Sequence, residues 1–78
     1  MQTSYVLMEV APGKVREAVA LLGSNPRIKK ATAVAGAYDI VVEVDAPNHN
    51  SLSQIITEDI HEIEGLVKTT TLIAFDLE

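Results

Sequence analysis

The spacing of apolar residues changes twice along this chain, from the two-residue repeat of a strand to the three-to-four-residue repeat of a helix. Strand-like stretches occupy residues 3–10, 27–35, 38–46 and 66–77. Alternation in the second stretch predicts Ile28, Thr32 and Val34 on one side, and alternation in the third predicts Ile40, Val42 and Val44 on one face. Helical spacing between them is carried by Val15, Ala18, Val19 and Leu22, and later by Leu52, Ile55, Ile56, Ile60 and Ile63. The predicted order is therefore strand-helix-strand-strand-helix-strand.

Local signals mark the ends of the predicted helices. Residues 23–26 (GSNP) should end the first helix, with the glycine in a left-handed terminus and the proline unable to continue the turn. Ser51 with Gln54 matches a capping box for the second helix, and Asn48 or Asn50 is an alternative cap.

Two glycine-containing turns complete the pattern. Gly36-Ala37 separates the two central strands by so little chain that an antiparallel hairpin is predicted. Gly65 stands where a glycine commonly ends a helix, just before the last strand.

This order is that of the ferredoxin-like, or split βαβ, motif. The predicted fold is an α+β βαββαβ sandwich with an antiparallel sheet in the order 4-1-3-2 and both helices on one face. A chain of 78 residues builds one domain. It has no cysteine and only 4% aromatic residues, so aliphatic side chains must fill the core without disulfide support.

Two helices can cover only one face of this sheet. In the first strand, Val6, Met8 and Val10 point to one side and should form the core. The apolar residues of the other face are Tyr5, Leu7, Val41 and either Leu72 with Ala74 or Ile73 with Phe75. A contiguous apolar face marks an association surface. We therefore expect a dimer that joins its sheets face to face in an α/β barrel-like assembly; scattered exposed aliphatics on a monomer are the alternative.

Charge and composition exclude several function classes. With 6 basic and 11 acidic residues, a net charge of −5 argues against direct nucleic-acid binding. The chain has neither an apolar run of the roughly 18 residues that span a membrane nor a signal peptide, so a cytoplasmic protein is expected. His49 and His61 lack metal-ligand spacing, and no nucleophile or phosphate-loop pattern is present. We predict no enzyme, no metal and no cofactor.

The hairpin turn carries the more informative polar residues. Gly36 permits close approach of a ligand, Tyr38 has a rigid ring with a polar tip, and Asp39 offers a carboxylate to a ligand ammonium group. The alternative is a plain turn in which these residues serve only the backbone. Residues 68–71 (Lys68, Thr69, Thr70 and Thr71) form a second polar cluster, although threonine also suits strands.

Two stretches carry a family resemblance. Residues 34–42 (VAGAYDIVV) match a G-x-Y-D motif followed by an aliphatic strand, and residues 60–71 (IHEIEGLVKTTT) match a helix end, a glycine turn and a threonine-containing final strand. In this order they resemble the RAM (regulation of amino-acid metabolism) domain, the effector-binding half of Lrp/AsnC-family transcriptional regulators. The resemblance covers nearly the whole chain, with Leu66 where the family often has valine.

The resemblance implies a ferredoxin-like dimer that assembles into octamer or decamer rings and binds small effectors, usually amino acids, between dimers. It assigns ligand binding to Gly36, Ala37, Tyr38 and Asp39, and more weakly to Thr69, Thr70 and Thr71. Full regulators place a helix-turn-helix domain before this one. Because residue 1 already begins the first strand, we expect residues 1–78 to be a single, stand-alone RAM-type domain that associates with itself or with a full-length relative.

The function expected from this resemblance is an amino-acid-binding, self-assembling regulatory module that modulates transcription or amino-acid metabolism indirectly. One alternative is a small dimeric ferredoxin-like enzyme of the monooxygenase type, which would need pocket histidines and aromatics that this chain lacks. Another is a pure oligomer-interaction protein without a ligand. An ACT-type domain is the nearest rival at the level of the fold.

Overall fold

The computed structural model describes residues 2–77, and these contain the predicted order of strands and helices. The elements are β1 (Gln2–Val10), α1 (Val15–Gly23), β2 (Lys30–Ala33), β3 (Ile40–Ala46), α2 (His49–Ile55) and β4 (Leu66–Ile73). A π-helical turn, Ile56–Ile60, continues α2.

The strands form one sheet in the order β2-β3-β1-β4, and every neighbouring pair is antiparallel. The predicted ferredoxin-like fold and its 4-1-3-2 order are therefore confirmed. β1 occupies a central position because both of its edges are paired, with β3 on one side and β4 on the other. Its last residues carry a register shift between Glu9 and Val10 against β4.

The core lies between the sheet and the helices and contains no aromatic residue. β1 and β3 each bury alternate residues, as a strand with one covered face should. The buried apolar residues are Val6, Met8, Val10, Ala18, Leu22, Ile28, Ile40, Val42, Val44, Ala46, Leu52, Ile55 and Ile60. The predicted core face of β1 and the aliphatic character of the core are both confirmed.

The segment around β2 departs from the predicted alternation. The strand begins only at Lys30, because the Asn25 side chain accepts a hydrogen bond from the Arg27 N–H (2.9 Å) and holds the preceding residues in a turn. Ile28 therefore enters the core, whereas Thr32 pairs with Val41 on the opposite face of the sheet. The prediction that both share one side was wrong.

The hairpin between β2 and β3 is wider than a tight turn. Its connection runs over residues 34–39 and is closed by a hydrogen bond from the Val34 N–H to the Asp39 carbonyl (2.8 Å). β3 consequently starts at Ile40 rather than at residue 38. β4 ends at Ile73 rather than at residue 77, although the Ala74 N–H still donates to the Thr3 carbonyl (2.9 Å).

The helix ends also differ from the predicted signals. α1 ends without a left-handed glycine, because Gly23 is its last residue and Ser24 is an ordinary right-handed cap. α2 is capped by Asn48, whose side chain accepts a hydrogen bond from the Ser51 N–H (2.9 Å), so the capping box at Ser51 was wrong and one of its alternatives correct. The π-helical turn is capped at His61, four residues before Gly65, and Gly65 instead ends the turn just before β4, with a φ of 87°.

Among residues 2–77, no helix is both long and apolar enough to cross a membrane.

Candidate functional site

The sheet has one face that carries no helix, and we call it the open face. The strand registers place Tyr5 beside Leu72, and Leu7 beside Val41 and Thr70. Tyr5 is 38% exposed and Leu72 is 49% exposed, while Leu7 and Val41 are half-buried. The open face therefore has an apolar centre, and the register selects Leu72 rather than Ile73 as the contribution of β4.

One end of the open face is a charged network between β1, β3 and the residue before β2. The Thr3 hydroxyl donates to the Asp45 carboxylate (2.7 Å), and the Lys29 ammonium lies 3.1 Å from Glu43 and 3.3 Å from Asp45. The Thr3 hydrogen bond, followed by the Lys29 contacts, lowers the pKa of Asp45 below its ordinary value. Hydrogen bonds to the same two carboxylates raise the pKa of Lys29.

The other end of the open face is built around Tyr38. Its hydroxyl is hydrogen-bonded to the Thr70 hydroxyl (2.8 Å), and either oxygen can be the donor. The Lys68 ammonium lies 6.0 Å from the centroid of the Tyr38 ring, at the outer range of a cation–π contact. These groups gather hydroxyls, a cation and an aromatic ring beside the apolar centre, and that combination suits a small polar molecule with an apolar part.

Asp39 connects the hairpin to β1. Its carboxylate accepts a hydrogen bond from the Val10 N–H (2.9 Å), and its own N–H donates to the Met8 carbonyl (2.8 Å). The two contacts hold the β1 backbone on either side of the register shift. The Asp39 carboxylate, which the sequence predicts to bind the ammonium group of a ligand, therefore binds the β1 backbone instead.

The predicted site residues divide between the two faces of the sheet. Gly36, with a φ of 138°, and Ala37 lie exposed in the connection that leads to Tyr38. Thr70 shares the open face with Tyr38, whereas Thr69 pairs with Met8 and Thr71 with Val6, so both point to the helix-bearing side. The chain therefore brings Tyr38 and Thr70 together and separates the other two threonines from them.

Sequence reasoning placed Lys68 in the second polar cluster, but it assigned ligand binding neither to Lys68 nor to its cross-strand neighbour Glu9. Their proximity depends on the pairing of β1 with β4, and only the alternation along each strand hinted that they share a face. The two histidines are exposed at opposite ends of the second helical segment. Within residues 2–77, no three His, Cys, Asp or Glu side chains are grouped closely enough to hold a metal ion.

Comparison with known proteins agrees with this architecture. The family model described as the Lrp/AsnC ligand binding domain matches residues 3–77. An uncharacterized HTH-type transcriptional regulator of Pyrococcus furiosus is 29% identical over 76 residues, which are 94% of this chain and 51% of the relative. The chain thus spans about half the length of the curated regulators that it matches.

Solved structures share the fold. A hypothetical protein from Pyrococcus horikoshii has 38% identity and a TM-score of 0.90, with 97% of this chain and 92% of that chain covered. A transcriptional regulator from Neisseria meningitidis, solved as its L-Met complex, has 14% identity and a TM-score of 0.84, with 97% and 51% covered. Taken with the match to residues 3–77, these likenesses show that the chain belongs to the family of Lrp/AsnC ligand-binding domains.

Proposed function

We propose that this chain is a regulatory module that associates through its open face and binds a small amino-acid effector between copies. The observation that carries the proposal is the open face itself, with an apolar centre and a polar cluster of Tyr38, Thr70 and Lys68 at one end. Apolar sheet faces of this kind are usually covered by another protein surface.

Self-association follows from the arrangement of the open face. Tyr5 and Leu72 are neighbours and remain well exposed, while the helices cover only the opposite side. Stacking two open faces would remove this apolar surface from water and leave the charged network at the rim, where charges remain solvated. The proposed dimer has the barrel-like form expected from the sequence, and ring assemblies of such dimers are part of the same proposal.

The effector site is proposed at the Tyr38 end of the open face. The backbone of Gly36 and Ala37 lines the approach, Tyr38 and Thr70 provide hydroxyls, and Asp39 holds the hairpin in place. The family membership and the Neisseria regulator bound to L-Met support an amino acid as the ligand. Thr69 and Thr71 are left out of the proposed site because they point to the other face.

The proposed mechanism is selection between assembly states. An effector that binds only where copies meet favours the assembly that forms its site, by as much as its differential affinity for the two states. The module would act in the cytoplasm, either alone or in mixed assemblies with a full-length Lrp/AsnC-type regulator, whose DNA binding it would then modulate. The matches to HTH-type regulators support this role.

The test combines native mass spectrometry with thermal unfolding, in the presence and absence of each of the twenty L-amino acids. We expect an oligomeric mass and a raised melting temperature with at least one amino acid, because a ligand at 100 times its Kd adds about 2.7 kcal/mol to the free energy of unfolding. An oligomer that binds none of the twenty would favour the interaction protein without a ligand. A folded monomer would refute the proposal.

A further inference from the structure

Two opposite charges face each other on the open face without pairing. Glu9 of β1 and Lys68 of β4 are direct cross-strand partners. Opposite charges in this relation usually attract and contribute to pairing of the strands. Within residues 2–77, however, no carboxylate lies within ion-pair distance of the Lys68 ammonium. Arg16 and Lys30 are likewise outside ion-pair distance of the described carboxylates, but Lys68 is the one of the three that lies beside Tyr38.

The position of Glu9 is held by Asp39. The Asp39 carboxylate accepts from the N–H of Val10, and the Asp39 N–H donates to the carbonyl of Met8, so the residues on both sides of Glu9 are anchored. The register shift lies at the same point, and irregularities of this kind often re-aim a side chain beside a binding site. Asp39 is therefore a positioning residue for Glu9.

The position of Lys68 relative to Tyr38 completes the arrangement. The Lys68 ammonium lies 6.0 Å from the Tyr38 ring centroid, and the Tyr38 hydroxyl is joined to the Thr70 hydroxyl at 2.8 Å. A cation and two hydroxyls are suitable partners for a carboxylate, since both can donate hydrogen bonds to its oxygens. Glu9, as an acceptor, is a suitable partner for an ammonium group.

From this juxtaposition we infer that Glu9 and Lys68 hold the two charged groups of a free amino acid, with Glu9 on the ammonium and Lys68 on the carboxylate. Leu7 lies next along the same face, opposite Thr70, and offers apolar contact to the ligand side chain. The inference rests on the proposed function and makes it more specific: the ligand is a zwitterion, and a molecule that lacks either charge should bind less well.

The experiment separates the two charges. Glu9→Gln and Lys68→Met each remove a charge with little change in side-chain length, while Glu62→Gln and Arg16→Met are controls that remove one charge of each sign at exposed positions away from the sheet. The ligands are the one of the twenty L-amino acids that raises the melting temperature of the wild type most, its N-acetyl form and its C-terminal amide. Dissociation constants are measured by calorimetry, after circular dichroism has shown that each variant is folded.

We expect Glu9→Gln and Lys68→Met each to weaken binding of the free amino acid by about tenfold or more, because each removes a charge-assisted contact. The amide has no carboxylate for Lys68 to bind, so its affinity for Lys68→Met should equal its affinity for the wild type. The N-acetyl form has no ammonium group for Glu9 to bind, so its affinity should not change in Glu9→Gln. Both variants behaving like the two controls would overturn the inference while leaving amino-acid binding intact. Absence of binding by all twenty amino acids to the wild type would refute the proposed function as well.

Discussion

At the scale of single residues, Asp39 makes the most consequential contacts of the candidate site. It joins the hairpin to β1 through both its carboxylate and its backbone N–H. The sequence predicts that the Asp39 carboxylate binds the ammonium group of a ligand. In the structure, the same carboxylate accepts a hydrogen bond from the Val10 N–H. The two roles predict different effects when Asp39 is replaced by asparagine, a neutral amide, and when it is replaced by alanine.

Asp39→Ala should lower the free energy of unfolding by about 1–3 kcal/mol, because the half-buried Val10 N–H loses its acceptor. Asp39→Asn keeps a carbonyl oxygen in place and should cost less. Urea unfolding measures both. Amino-acid affinity should fall in the alanine variant while the dimer persists, and the asparagine variant should retain most of the affinity if Asp39 acts by positioning. An alanine variant as stable as the wild type would contradict the structural role.

Gly65 is a second residue at which substitution should be costly, because both its backbone conformation and its surroundings disfavour a side chain. It has a φ of 87°, and a Cβ at this position would lie 2.8 Å from the Lys14 Cγ. The Lys14 Cβ also lies only 3.1 Å from the added Cβ, so rotation of the far end of the lysine side chain cannot relieve the contact.

Gly65→Ala should therefore destabilise the chain by more than the roughly 1–2 kcal/mol that a left-handed conformation costs a residue with a Cβ. Gly13→Ala is the matched control, since Gly13 has a φ of 84° and no atom within 4 Å of its added Cβ. Thermal unfolding compares the two. Equal losses in the two variants would mean that Lys14 yields to the added methyl group.

At the scale of elements, short polar contacts decide where each helix and strand begins. α2 starts at His49 because Asn48 satisfies the Ser51 N–H. The Thr3 hydroxyl donates to Asp45 beside the last β1–β3 pair, which is Gln2 with Ala46. The sequence offers several residues that could make such contacts, and only the structure shows which of them does.

Asn48→Ala should lower the free energy of unfolding by about 1 kcal/mol, the usual loss for an N-cap asparagine. Asn50→Ala, one residue into the helix and exposed, is the control and should have little effect. Chemical denaturation monitored by circular dichroism gives both values. A larger loss in the Asn50 variant would show that Asn50 is the functional cap in solution.

Thr3→Val should reduce the amount by which the free energy of unfolding falls when the solution is made acidic. The pKa of Asp45 is lower in the folded chain than its ordinary 3.8, so ionised Asp45 favours the folded state. This contribution is complete above about pH 5 and is lost as the pH falls through the lowered value. Without the Thr3 hydroxyl, the main cause of the shift is gone, and the variant should lose less stability than the wild type between neutral and strongly acidic pH.

Thermal unfolding across that range measures the effect, with Thr32→Val as a control on the same face of the sheet. If Thr3→Val and the wild type had parallel pH profiles, the hydrogen bond would have no influence on the titration of Asp45.

At the scale of the whole molecule, the main feature is that both helices lie on the same side of the sheet and leave its other side uncovered. Both helices cover one side of a four-stranded sheet, and the central strands β1 and β3 bury that side completely. The opposite side keeps Tyr5 and Leu72 in water, and this asymmetry is the physical basis of the proposed association.

Leu72→Glu should shift the protein from dimer or larger assembly to monomer, because a carboxylate at the apolar centre would lose its hydration in the interface. Leu21→Glu is a matched control on α1, where the leucine is 57% exposed against 49% for Leu72. Sedimentation velocity at micromolar concentration distinguishes the species. Dissociation by the Leu21 variant alone would place the interface on the helix side.

The alternation of apolar residues was sufficient to predict the order of elements, the core face of β1 and β3, and the order of the sheet. It failed where a side chain redirects the backbone. The Asn25 turn delays β2, and the wider connection before Ile40 replaces a tight hairpin turn. The G-x-Y-D and threonine motifs contain Tyr38 and Thr70, which the fold brings together, but they did not separate Thr70 from Thr69 and Thr71.

Which residues avoid water can be read along the chain, because that preference is repeated in each segment and needs no knowledge of distant partners. Which polar groups meet follows only from the folded arrangement of the strands. The pairing of Tyr38 with Thr70, the anchoring of Val10 by Asp39 and the position of Lys68 opposite Glu9 all depend on strand register. A shift of β4 by one residue would turn Lys68 and Thr70 to the other face of the sheet, away from Tyr38 and Glu9.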